Sequence, residues 1–90
     1  MGYKKNNNAI LAILNEIGID EEDRTEVVEL GCSENTYYQF KVYDTYEDDL
    51  FRLGSLLGEA FGDKNMWIDT YKHTAKYRGF SKIEIKTKTK

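Results

Sequence analysis

The chain contains 90 residues, with 32% charged and 40% hydrophobic side chains and a formal net charge of −3. A chain of this length buries about 60–65% of its unfolded surface, so we expect one domain that folds without the help of disulfide bonds or a metal ion. The single cysteine excludes an internal disulfide framework, and no CxxC or Cys/His spacing indicates zinc, which favours a cytoplasmic protein. No apolar run is long enough to span a membrane, and the N-terminal segment lacks a signal-peptide core.

Charge is distributed unevenly along the chain. Residues 6–63 carry three basic and fourteen acidic side chains, whereas residues 64–90 carry eight basic and two acidic ones. The protein is therefore an acidic body with a basic C-terminal third, a property that concerns partners and solubility rather than fold. Twelve aromatic residues are many for so small a core, and we expect some of them to be exposed.

The first predicted element is a short amphipathic helix. Asn7 or Asn8 is expected to cap its N-terminus. Gly18 supplies the left-handed residue that ends it, and Ile19 can then contact Leu14. The apolar positions recur at helical spacing: Ile10, Ile13, Leu14 and Ile17.

Two strands follow an acidic turn at 20–23, and we predict them at 24–30 and 36–43. The turn 31–35 joins them into an antiparallel hairpin. Period-two alternation assigns Val28 and Leu30 to the core-facing side of the first strand. In the second strand it places one set in the core, Tyr38, Phe40 and Val42, and another set opposite, Tyr37, Gln39, Lys41 and Tyr43.

A second helix is predicted within 44–63. Asp44 and Thr45 are good N-cap residues, and each has an acidic residue three places on, as in a capping box. Gly62 ends the helix. Gly54, Gly58 and Gly62 are spaced by four, which favours close internal packing over contact with a second copy. The apolar stripe comprises Leu50, Leu53, Leu57, Ala60 and Phe61.

The last two predicted strands cover 66–74 and 80–86. The third strand alternates between a core set, Met66, Ile68 and Thr70, and an opposite set, Trp67, Asp69, Tyr71 and His73. The fourth places Ser81, Ile83 and Ile85 on one side and Lys82, Glu84 and Lys86 on the other. Lysine at every second residue is how natural sheets discourage edge pairing, so we expect this strand at an edge.

The predicted order is α-β-β-α-β-β, which indicates an α+β fold. We expect a two-layer sandwich with a mostly antiparallel four-stranded sheet and both helices on one face. The whole of 1–90 forms a single small α+β domain, in which 1–6 and 87–90 are expected to be frayed. The opposite face of the sheet should then be open to solvent.

Catalytic and cofactor sites are not indicated by the sequence. Cys32 and His73 are single residues on separate hairpins, without a neighbouring base or orienting group. The glycine spacing lacks the phosphate-loop pattern. An acidic group could hold Mg²⁺, but helix capping explains its members equally well: Asp44, Glu47, Asp48 and Asp49. We therefore predict no enzyme activity, no cofactor and no metal.

Binding to a macromolecule is the function that the sequence favours. Our main hypothesis is a small acidic protein of the inhibitor or regulator kind that acts stoichiometrically on another protein, as a monomer or homodimer. The alternative is a nucleic-acid-binding module that uses the basic, aromatic hairpin within 64–90. An acidic surface at 20–29 and 44–49 could instead meet a basic groove. The predicted partner-binding residues are Tyr37, Lys41, Tyr43, Trp67, Tyr71, His73, Lys76, Tyr77 and Arg78.

The composition also has a genomic implication. The absence of proline and the abundance of Lys, Asn, Tyr, Ile, Glu and Asp suit an AT-rich genome. Small accessory genes of phages and other mobile elements often encode binding proteins of this kind, which is an association rather than a physical inference.

Overall fold

A computed structural model describes residues 2–88, with side chains for all of these except 2–4 and 32. It confirms the α+β fold and the order α-β-β-α-β-β. The helices are α1 (Gly2–Ile17) and α2 (Glu47–Phe61), and short 3-10 turns lie at Glu21–Asp23 and Asp63–Asn65. The strands are β1 (Val28–Cys32), β2 (Asn35–Tyr43), β3 (Met66–Tyr71) and β4 (Phe80–Lys88).

All strand pairs in the sheet are antiparallel, and the spatial order is β1-β2-β4-β3. The prediction that β4 is an edge strand was wrong, because β4 lies in the interior and pairs with both β2 and β3. After α2 the chain forms β3 at the far edge of the sheet, and β4 then runs back between β2 and β3. The alternating lysines of β4 therefore project from the middle of the sheet, and β1 and β3 are the edges.

The core lies between the two helices and one face of the sheet. Leu53 and Leu57 of α2 are fully buried, as the apolar stripe predicted, but Ala60 is exposed. The phenol of Tyr38 is 1% exposed, and its hydroxyl accepts a hydrogen bond from the Asn6 side chain of α1 at 3.4 Å. The buried apolar residues are Ile10, Leu14, Ile19, Tyr38, Phe40, Val42, Leu53, Leu57, Ile83 and Ile85.

The faces of β1 are the reverse of the prediction. Val28 and Leu30 are 51% and 48% exposed, because they share rows with residues of β2 that point away from the helices. An isolated bridge pairs Arg24 with Val42, and the ladder resumes at Val28 and Gln39. Between these two pairs lie three residues on the β1 side, 25–27, but only two on the β2 side, 40 and 41. A single extra residue exchanges the two faces of a strand.

The predicted start of α1 was wrong, but its end was right. The helix begins at Gly2 rather than after Asn7 or Asn8, since tertiary contacts such as the Asn6 bond outweigh the low helix propensity of asparagine. At the C-terminus, Gly18 has φ 95° and the amide of Ile19 donates to the Leu14 carbonyl at 3.0 Å. This is the geometry expected of a glycine-terminated helix.

The cap of α2 also differs from the prediction. The N-cap residue is Tyr46, without a side-chain capping bond. The Thr45 hydroxyl instead donates to the Tyr43 carbonyl at 3.3 Å, and Asp44 binds Arg78. Gly62 ends α2 as predicted, with φ 98° and its amide donating to a carbonyl one turn back.

The predicted ends of the last strands need adjustment. Strand β3 ends at Tyr71 rather than at Thr74, and β4 continues to Lys88. Of the segments expected to fray, residues 2–6 belong to α1 and residues 87 and 88 to β4, whereas residues 1, 89 and 90 lie outside the described part of the chain.

The glycines of α2 allow close internal packing, as predicted. A Cβ at Gly54 would lie 3.3 Å from the Cδ1 of Ile68 in β3. At Gly58 it would collide with the carboxylate of Asp63. Small residues at these positions therefore let α2 approach β3 and the turn that follows the helix.

Candidate functional site

The side of the sheet opposite the helices, called here the open face, displays most of the predicted binding residues. The core residues that pack against the two helices lie on the other face, and the described side chains of the open face are half-buried or exposed. Because directly paired residues share a face, the register arranges them in rows. Five rows cross the face: Tyr43, Phe80 and Tyr71; Lys41, Lys82 and Asp69; Val28, Gln39, Glu84 and Trp67; Leu30, Tyr37 and Lys86; Asn35 and Lys88.

The first of these, called here the aromatic row, joins three adjacent strands at one end of the sheet. The rings of Tyr71 and Phe80 stack with their centroids 4.9 Å apart and their planes at 23°. The Tyr43 ring meets Phe80 from the other side at 6.0 Å and 52°. Such contacts contribute about 0.5–1.5 kcal/mol per pair beyond simple burial. The aromatic row is therefore a preformed apolar platform.

Two cations lie over the aromatic row. The Nζ of Lys41 is 4.9 Å from the centre of the Phe80 ring, and the guanidinium carbon of Arg78 is 4.9 Å from that of Tyr43. Both distances lie within the range of cation–π attraction. These contacts occupy part of the ring surface that a stacked ligand would otherwise use.

Arg78 is also the centre of an ion-pair group that ties three loops together. Its guanidinium donates to Asp44 at 2.7 Å and to Asp23 at 3.1 Å. These hydrogen bonds, that of Asp44 first, raise the pKa of Arg78 above its ordinary value. Asp44 has a left-handed φ of 50°, a conformation that aspartate tolerates better than most residues. The group thus holds the loop before β4 against the connection between α1 and β1 and the connection between β2 and α2.

The middle of the open face is charged. Lys41 of β2 lies directly opposite Lys82 of β4, and we call these two residues the lysine pair. On its other side Lys82 faces Asp69 of β3. One row further along, the Gln39 amide donates to Glu84 at 2.6 Å. The face therefore mixes both signs with an excess of lysine, whereas the chain as a whole is acidic.

Apolar side chains border the charged centre. Trp67 and Tyr71 on edge strand β3 are 45% and 50% exposed, as the alternation of β3 predicted. Val28 and Leu30 border the other edge and were missed, because β1 was assigned the opposite face. Phe80 was also missed, although its spacing of two residues from Lys82 indicated that it shares the open face; its place in the aromatic row follows only from strand pairing.

The remaining predicted site residues lie on the loop 72–79 rather than on the sheet. His73, Lys76 and Tyr77 are exposed there, with Tyr77 69% exposed. The hydroxyl of Thr74 accepts hydrogen bonds from the amides of residues 76 and 77 and so shapes the loop tip. The structure thus brings Lys41, Tyr43, Tyr71 and Arg78 together around Phe80, and separates the loop residues from Tyr37 and Trp67.

The residues considered for chemistry do not converge. Cys32 lies at the end of β1, in the same row as Lys88. His73 lies two residues beyond Tyr71, which pairs with Phe80 at the other end of β4. Eight residues of β4 separate these levels, a distance of about 26 Å. Among the described residues, no group of three or more His, Cys, Asp or Glu could hold a metal ion.

Comparisons with known proteins add no functional information. No family model, no curated protein and no solved structure matches the chain. In the described part of the chain, neither helix combines the length and apolar character that a membrane crossing requires.

Proposed function

We propose that this chain is a non-enzymatic binding protein that acts stoichiometrically on another protein through the open face of its sheet. The observation that supports this most is the exposure of large apolar side chains on that one face. Trp67 and Tyr71 line one edge, Val28 and Leu30 line the other, and the aromatic row crosses β2, β4 and β3 at one end of the face. Tyrosine, tryptophan and arginine dominate the energetics of protein–protein interfaces.

A protein partner fits the ring geometry better than a nucleic acid does. Base stacking needs a free ring face. In the aromatic row, the stacking of Tyr71 on Phe80 and the two cations already occupy part of the ring surface, which leaves less of it for a base. The isoelectric point near 5.1 is also the reverse of the basic character that most nucleic-acid-binding proteins have. A nucleic acid remains the alternative, through the lysines of β4.

Partner capture with surface variants tests the proposal. Wild-type protein is used to retain a partner from cytosolic extract, with and without nuclease, and the isolated partner is then titrated. Trp67→Ala or Tyr71→Ala should weaken binding by at least ~2 kcal/mol, the usual threshold for an interface hot spot. Phe51→Ala is the matched control, because Phe51 is 79% exposed on α2 in the other layer.

A thermal melt of each variant separates folding from binding. We expect the Trp67 and Tyr71 variants to remain folded and Phe51→Ala to bind like wild type. If all three variants lose binding equally, the partner does not bind through the open face. If nuclease abolishes capture, and neutralising Lys76, Arg78 and Lys82 flattens the salt dependence, the partner is nucleic acid.

A further inference from the structure

The lysine pair is an unfavourable arrangement in the free protein. Like charges directly opposite each other on neighbouring strands destabilise a sheet. Among the described residues neither ammonium group has a carboxylate within ion-pair distance, although Asp69 lies directly across from Lys82. The contact of Lys41 with the Phe80 ring offsets the repulsion only in part.

A small cleft opens beside the lysine pair on the same face. It has a volume of about 150 Å³, and its lining is formed by Thr25, Val28, Gln39, Phe40, Lys41 and Lys82. Both lysines border this cleft, and the exposed Val28 provides an apolar wall. An anionic side chain placed there would lie beside the stems of both lysines and next to an apolar surface, and the Lys41 ammonium would have to turn toward it from the Phe80 ring.

We propose that the open face binds an acidic polypeptide segment whose carboxylate is held between Lys41 and Lys82. This inference rests on the proposed function and names the chemistry of its partner. A carboxylate can accept charge-assisted hydrogen bonds from both ammonium groups, and these are stronger than bonds between neutral groups. The bound carboxylate would also remove the repulsion between the two lysines.

The spacing of the rows specifies the partner further. The lysine pair and the aromatic row are two residues apart along each strand, which corresponds to about 6.6 Å. In an extended segment, side chains two residues apart have the same spacing and point the same way. An acidic residue over the lysine pair therefore places the residue two positions away over the aromatic row. The preferred segment has an acidic residue and an apolar residue separated by one residue of any kind.

The test uses the full chain and a short synthetic peptide that repeats the sequence Glu-Ser-Leu-Ser, which places Glu and Leu two positions apart on one side of an extended chain. Binding is measured by calorimetry and located by amide chemical-shift changes. We expect shifts along β2 and β4 on the open face, and Lys41→Gln or Lys82→Gln should each weaken binding about tenfold, the effect of losing one charged hydrogen bond. Lys64→Gln removes the same charge from the turn after α2 and should change affinity little.

The Trp67→Ala variant and the location of the chemical-shift changes show whether only the carboxylate site is wrong or the whole open face. If Trp67→Ala weakens peptide binding but the two lysine variants match Lys64→Gln, the open face binds and the carboxylate site is wrong. If the shifts map away from the open face, both are wrong. A short single strand of oligothymidine serves as the competing probe. Its binding in place of the peptide, with the same lysine dependence, would overturn the acidic segment in favour of a phosphate backbone.

Discussion

Leu57→Ala is the sharpest test of how the core is built. Leu57 is fully buried between α2 and the sheet. Truncation removes three buried carbons, which accounts for about 2.4 kcal/mol at 0.8 kcal/mol per methylene. The cavity left behind adds to this, so we expect a loss of about 3 kcal/mol, within the usual 2–5 kcal/mol for such changes.

That loss is a large part of the stability of so small a domain. At about 0.05–0.15 kcal/mol per residue, the 90 residues give roughly 5–13 kcal/mol in total. Their unfolding entropy is about 0.19 kcal/mol/K, so the midpoint of thermal unfolding should fall by roughly 15 °C. Circular dichroism melts and urea titrations of wild type and variant measure the change.

Phe51→Ala provides the matched control on the same helix. Phe51 is larger than leucine but 79% exposed, and its removal should change stability by no more than about 0.5 kcal/mol. If Leu57→Ala lowers the midpoint by less than about 5 °C, or if both variants lower it equally, the packing of α2 on the sheet is misassigned.

Two further substitutions test the helix end and the ion-pair group. Gly62→Ala should cost at least about 1 kcal/mol, because a φ of 98° strains any residue with a Cβ, whereas Gly31→Ala, in open space, should be nearly neutral in the same denaturant titration. Equal effects at the two glycines would refute the strain assignment. Arg78→Gln should lower the melting midpoint only slightly, and less at high salt, because its ion pairs are exposed. Amide exchange in 72–79 should nevertheless accelerate, and unchanged exchange there would show that Arg78 does not restrain the loop.

Local sequence patterns were sufficient to predict the features that depend only on residues near each other in the chain. Alternation assigned the faces of β2 and β3, and glycine chemistry located the ends of both helices. The same alternation failed in β1, where one extra residue after Arg24 moves Val28 and Leu30 to the other side. Nothing in the composition of that segment indicates the extra residue, since no glycine or proline marks it.

Long-range partners explain the other differences. Asp44 has the chemistry of a helix cap, but Arg78, 34 residues away, takes its carboxylate. The interior position of β4 depends on which strands pair, and the lysine pattern that suggests an edge is equally suited to a solvated face. The aromatic row was incompletely predicted for the same reason, because Phe80 joins Tyr43 and Tyr71 only once β4 lies between their strands.

The interior position of β4 also determines how the sheet can fold. The β1–β2 hairpin forms between neighbouring residues, but β2 and β4 pair residues that are 37 to 53 positions apart. Closing so long a loop costs entropy before any contact rewards it, which slows folding. Until β4 arrives, β2 and β3 share no partner and each leaves an unpaired edge. The slow step of folding should therefore be the insertion of β4, and the interval before it is when the chain is most exposed to aggregation.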